Sequence, residues 1–286
     1  MYEFVFKTII MFTLCLIMAF HSGSAGALQA GDLKHKGWLI SMEMYKDKAV
    51  LEKARNLFLQ AQKLNPDDAS LDYYIGYTYF KEGEFALIHE QDKEKARTFY
   101  EKALEWAEKG IKKDPESIEC RFGRAACLAR ILDTKYAGKS TLRNLFSLGG
   151  IAPKLRRIEG DIEFVLSHSK ETPPDIRESY DYAYLATVIK ASLDWFYPGI
   201  LGGSKEKALD KLQAAHSRHP GDPLPYYTMA RLYFEIEKDY PKANEYCQKV
   251  INWKKPYYFF DYYAFYRPHC EEILKAVQQA TAQAKR

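Results

Sequence analysis

The sequence predicts an all-α protein, and three observations carry that reading. Apolar residues recur at intervals of three and four along segments such as "AVLEKARNLFLQAQKL", "EKARTFYEKALEWAEKGIKK" and "KEKALDKLQAAHSRH", with Lys, Glu and Gln between them, which is the period of an amphipathic helix. Runs that alternate apolar and polar residues, the mark of a half-buried strand, are nearly absent. Breaks fall where turn chemistry puts them: "NPDDAS", "DPES", "TPPD" and "HPGDPLP" join Pro to Asp, Asn, Gly or Ser, and "KKP" adds one more proline.

The leading element is an apolar run from Thr8 to Phe20, followed by small residues and Ala25-Gly26-Ala27. At 1.5 Å per helical residue the run reaches roughly 20 Å, against about 30 Å of bilayer hydrocarbon, so a cleaved signal peptide over residues 1–27 is expected, not a permanent anchor. Cys15 lies inside the apolar run and not behind small residues, which argues against a lipoprotein. The expected location is periplasmic or secreted, with no stable membrane anchor after cleavage.

The chain that follows is expected to form a helical array over residues 28–256 and an aromatic segment with a capping helix over 257–286. "HKGWLISMEMYKD" is the first helix of the array. In the next helix Ala54 is followed by Phe58, Ala61 and Pro66; Ala208, Leu212, Ala215 and Pro220 repeat the same spacing. Two small residues on one helical face let a neighbouring helix approach to about 8–10 Å while the larger one fills the gap, and the proline then turns the chain. Ala96, Tyr100 and Ala103 keep that face, with the helix running on to Pro115, and Ala243, Cys247 and Val250 are followed by Pro256. The partner helices carry a small residue behind an apolar one: Ile75-Gly76 and Met229-Ala230, each with a tyrosine three further on, and Phe122-Gly123 and Leu185-Ala186 without it.

This pattern resembles the tetratricopeptide repeat family, whose helix-turn-helix units place a small residue and a tyrosine in the first helix, then Ala, an aromatic, Ala and Pro in the second. The resemblance spans most of residues 35–256, with insertions expected at Gly83 to Asp92 and Asp133 to Pro153. It implies an all-α solenoid of antiparallel helix hairpins with irregular insertions and a C-terminal capping helix. It also implies a concave groove, lined by first helices, that grips a peptide or protein partner. By position, the groove residues are Tyr73, Tyr77, Arg124, Tyr227 and Arg231, together with Lys190: an aromatic and basic surface suited to carboxylate-bearing partners. A second resemblance is to exported helical-repeat T components of tripartite periplasmic transporters, carried by "FYPGILGGSKEKALDKLQAA". It implies handling of a small, apolar solute.

Composition narrows the function. A formal net charge of +4, dispersed over mixed stretches, makes no case for nucleic acid. "KYAGKST" ends like a phosphate-binding loop, but Asp133 stands where the first glycine is needed and the preceding stretch is helical, so no nucleotide is expected. Lys139-Ser140-Thr141 is read as a helix start or an exposed insertion. His216 and His219 are one turn apart without a third ligand nearby, which favours a helix C-terminus over a metal. No nucleophile, base and acid form a recognisable set, so no catalytic residue, cofactor or metal is assigned. Cys120 and Cys127 stand two turns apart on one helix and cannot bridge each other; Cys247 and Cys270 can, but scattered cysteines in helical contexts are more often small core residues.

"PYYFFDYYAFYRPHC" is too aromatic to lie exposed. It is read chiefly as a lid over the end of the array, and alternatively as a pocket in which Tyr257, Tyr258, Tyr262 or Tyr266 offers an apolar ring with a hydrogen-bonding tip.

Overall fold

The computed structural model describes residues 26–136, 151–170, 172–196 and 203–284, and among these the regular structure is helical, with no strand. The elements are α1 over 26–41, a 3-10 turn Met42–Tyr45, α2 Val50–Leu64, α3 Ala69–Ile88, α4 Lys93–Lys113, α5 Ile118–Tyr136, α6 Ala152–His168, α7 Tyr182–Phe196 and α8 Lys205–Arg218. Then come α9 Leu224–Leu232, extended by a π turn Tyr233–Glu237, α10 Tyr240–Ile251, a short helical turn Phe259–Asp261, a second π turn Tyr262–Tyr266, and α11 Arg267–Ala284. Residues 1–25 of the expected signal peptide, and Gly138 to Thr141, lie outside the described residues; the expected cleavage after Ala27 falls in the first turn of α1.

Side-chain caps start several helices. Asp68, Asp92, Ser204 and Asp239 each accept a hydrogen bond from a backbone N–H of the first turn. The small-residue faces go inward. Ala54, Phe58 and Ala61 on α2, Ala208 and Leu212 on α8, and Ala243, Cys247 and Val250 on α10 are completely buried. Ile158, Ile162 and Val165 give α6 the same kind of stripe from larger residues. Truncating a side chain as enclosed as Phe58 to Ala would cost about 3–5 kcal/mol.

Consecutive helices pack against one another from α2 through α10, and α10 packs on α11. A second set of contacts positions the site: α3 touches α5, α5 touches α7 and α7 touches α9. The π turn Tyr262–Tyr266 touches both α9 and α3. These four helices and the C-terminal segment therefore close a ring, with α4, α6 and α8 packed behind it.

One sequence expectation changes in detail. The insertion expected at Gly83 to Asp92 is largely helix, because α3 runs to Ile88 and the connection is only the few residues before the Asp92 cap. Cys247 and Cys270 are buried free thiols in side-chain contact between α10 and α11, core residues and not a bridge.

Candidate functional site

The ring frames a partly open cavity of about 300 Å³. Its walls come from α3, α5, α7 and α9, with Phe265 and Tyr266 of the second π turn and Ile151, Leu155 and Ile158 on one side. Most of the lining is aromatic or aliphatic, the composition of a small-molecule site. Two polar groups interrupt it, and both are built from charges that compensate each other.

The first is centred on Lys81. Its ammonium bonds Asp261 Oδ1, whose other carboxylate oxygen accepts the Tyr180 hydroxyl at 2.6 Å. The same ammonium sits 5.3 Å from the Tyr77 ring, 5.4 Å from Tyr180 and 5.3 Å from Phe265, within cation–π range of all three. Lys81 reaches this place because it follows Tyr73 and Tyr77 at four-residue steps and so shares their face of α3.

The second is a ladder of alternating charge. Glu84 on α3 accepts the Tyr100 hydroxyl at 2.6 Å and bonds Arg130 of α5. Arg130 donates to Asp133 at 3.1 Å, Asp133 accepts from Arg231 of α9 at 2.9 Å, and Arg231 forks onto Glu235 with two bonds of 3.0 Å. Burial opposes ionisation of Asp133, but Arg231 and then Arg130 hold its carboxyl below the ordinary value. Burial likewise works against the Arg231 cation, yet Glu235 and Asp133 keep it firmly protonated.

Of the residues singled out from sequence, Tyr73, Tyr77, Tyr227, Arg231 and Tyr266 all line this one cavity. Tyr227 stacks on Tyr266 at 4.8 Å, and its hydroxyl meets His269 Nδ1 at 2.8 Å. Arg124 is elsewhere: it forks onto the buried Asp161 at 2.7 and 2.6 Å and ties α5 to α6. Lys190 points to Glu159 at 3.5 Å and Asp194 at 3.4 Å.

Tyr257, Tyr258 and Tyr262 do not line the cavity; they moor the segment that forms one of its walls. Tyr258 is buried and its hydroxyl accepts the backbone N–H of Asp181 at 2.9 Å. Tyr262 donates to the Val250 carbonyl at 3.0 Å, and the Tyr257 backbone N–H donates to Gly221 at 2.9 Å. His219 belongs to the same anchorage: it is buried with its ring on Asp181 at 3.0 Å, a more specific partner than the helix dipole expected for it, while His216 remains in the last turn of α8. Despite burial, His219 and Arg218 hold the Asp181 carboxyl at about 2. Asp222 behaves in the opposite way. Burial pushes its carboxyl up to about 7 against the bonds it accepts from Tyr184 and the Leu224 N–H.

Among the described residues no group of three or more His, Cys, Asp or Glu side chains is placed to hold a metal ion. Lys81, Glu84, Arg130, Asp133, Tyr180, Asp261 and Phe265 were not singled out from sequence as site residues. A signal existed for Lys81 and Glu84, charges that continue the Tyr73–Tyr77 face at four- and three-residue steps. Arg130 and Asp133 pair locally, three residues apart on α5, and the remaining partners meet only through packing between elements. No model of a known protein family matches the chain, and no curated protein matches it.

Proposed function

We propose that this protein is an exported, non-catalytic binding protein on a tetratricopeptide-like array, and that it holds a small, largely apolar solute inside the ring of helices. The observation that carries this reading is the partly open cavity of about 300 Å³ with predominantly apolar walls. The small-residue faces of α2, α8 and α10 support the repeat-like architecture, and the apolar leader supports export. A binding role without chemistry agrees with the wall carboxylates, each of which is tied to Lys or Arg and so is a poor base.

Docking of an extended peptide in an open concave groove fits the geometry less well. Residues of the second π turn lie against α3 and α9, on the interior face that such a peptide would use. Solute handling is also what the resemblance to transporter T components implies. Native mass spectrometry of gently purified protein tests the proposal: an adduct of small-molecule mass that organic extraction removes is the expected result. A bare chain whose melting temperature no apolar compound raises would count against it.

A further inference from the structure

The two ends of the cavity differ in chemistry, and the difference orients an occupant, an inference that rests on the solute-binding reading above. The four ring helices run in one direction. Their starts are joined by Tyr182 of α7, which packs on Tyr73 at 5.6 Å and on Phe122 at 5.3 Å, and by the Tyr184 hydroxyl, which donates to Asp222 just ahead of α9 at 2.9 Å. Their far ends are joined by Arg130 with Glu84, by Arg231 with Asp133 at 2.9 Å and by Trp195 with Glu237 at 3.0 Å. Between these ties the wall runs from Tyr73 to Glu84, Phe122 to Asp133, Leu185 to Phe196 and Leu224 to Glu235, roughly 16 Å along each helix.

Along the first two turns that wall carries no charge. Every charge that the ring helices bring to it stands in the last turn: Lys81 and Glu84 on α3, Arg130 and Asp133 on α5, Arg231 and Glu235 on α9 and its π turn, with Asp261 beside Lys81. The cavity is therefore apolar at one end and polar at the other, a shape of chemistry that suits an amphiphile lying along the helices.

Hydrogen bonding at the polar end selects the head group. Both oxygens of Glu84, of Glu235 and of Asp261 already have donors, which leaves Asp133 Oδ1. The cations keep more in hand. Arg231 uses Nε and Nη2, while its Nη1 makes no hydrogen bond among the described residues and 19 % of the side chain stays exposed. Arg130 uses Nη1 and Nη2 but not Nε, and Lys81 has bonded one of its three N–H groups. A head that accepts hydrogen bonds takes up these donors without displacing a carboxylate, and an ionised acceptor does so most strongly. Charge alone would argue the other way, since three cations face four carboxylates, so the head group separates the two accounts.

We infer that the occupant is an amphiphile whose hydrocarbon tail lies among Tyr73, Phe122, Val188 and Leu224 and whose hydrogen-bond-accepting head lies at Lys81, Arg130 and Arg231.

The test titrates the purified chain with decanoate, decanol and decylammonium in a calorimeter. Decylammonium, whose head only donates, should bind at least about tenfold more weakly than the better of the two acceptors. Diazirine analogues of that better acceptor then report the orientation by photolabelling and tandem mass spectrometry. A diazirine at the tip of the tail should mark residues 73–77 and 122–126, and one beside the head should mark 130–133 and 231–235. Decylammonium binding as tightly as the acceptors, or the two diazirines marking the same end or exchanged ends, overturns the inference while solute binding stands. Failure of all three compounds to bind overturns solute binding itself.

Discussion

Lys81 of α3 and Asp261 of the C-terminal segment, 180 residues apart in the chain, form a buried ion pair that closes the ring of helices. Both side chains are nearly inaccessible, at 9 % and 4 % exposure, so neither charge has water to fall back on. Lys81→Met alone should strand the Asp261 carboxylate and destabilise the chain by about 3–5 kcal/mol. Pairing Lys81→Met with Asp261→Leu should cost less than the sum of the single changes, since no orphan charge remains. Urea titrations followed by circular dichroism measure all three; additive losses would mean that the two groups do not act together.

Asp222 should give the stability a pH dependence opposite to that of most carboxylates. Its carboxyl ordinarily titrates near 3.8 and is pushed up to about 7 by burial. Between those values the folded chain holds a proton that the unfolded chain has released, so stability falls as pH rises through the window and the full penalty is present above about 7. Asp222→Asn removes the ionisation and keeps an acceptor. It should stabilise by about 1–3 kcal/mol at pH 8 and change little at pH 4. Thermal melts of both proteins across that range decide it, and a difference that does not grow with pH would assign Asp222 no such role.

The helices and their buried faces were legible in the sequence because they depend on residues within a few turns of each other. Ala54 with Phe58 and Ala61, and Ala208 with Leu212 and Ala215, follow the helical repeat and are buried as that repeat requires. The ring was not legible, because its closing contact joins α3 to a segment at the far end of the chain, and no local period encodes that. The same limit explains the uneven outcome for the arginines. Arg124 and Arg231 hold equivalent places after a small residue, yet Arg124 is taken by Asp161 of α6 while Arg231 faces the cavity with Asp133. Which carboxylate lies opposite is decided by packing between helices. Register in one helix does not report it.

Gly76 and Gly160 both sit inside helices, where Gly→Ala ordinarily gains about 1 kcal/mol. A Cβ on Gly76 would lie 3.0 Å from the Ala103 carbonyl oxygen and 3.1 Å from Trp106 Cβ, so α3 and α4 would have to part. Exposed Gly160 on α6 has nothing within 4 Å of that position. Gly76→Ala should therefore destabilise by about 1–3 kcal/mol, and Gly160→Ala should stabilise by about 0.5–1 kcal/mol. Chemical denaturation of the two variants side by side checks the contrast; a shared sign would mean that the α3–α4 contact is not tight at Gly76.

Cys120, Cys127, Cys247 and Cys270 should be silent toward alkylating reagents until the chain unfolds. All four are buried, and the thiolate, the reactive form, is disfavoured where burial dominates. Burial pushes the Cys120 thiol up to about 12 and raises Cys127 further. The hydrogen bond with Cys247, and then burial, raise Cys270. Iodoacetamide at pH 8 should leave these four positions unmodified in the native chain, and in guanidinium chloride it should modify each of them, read by peptide mass mapping. Labelling of Cys247 or Cys270 under native conditions would show that α11 lifts from α10, and with it the segment that forms one wall of the cavity.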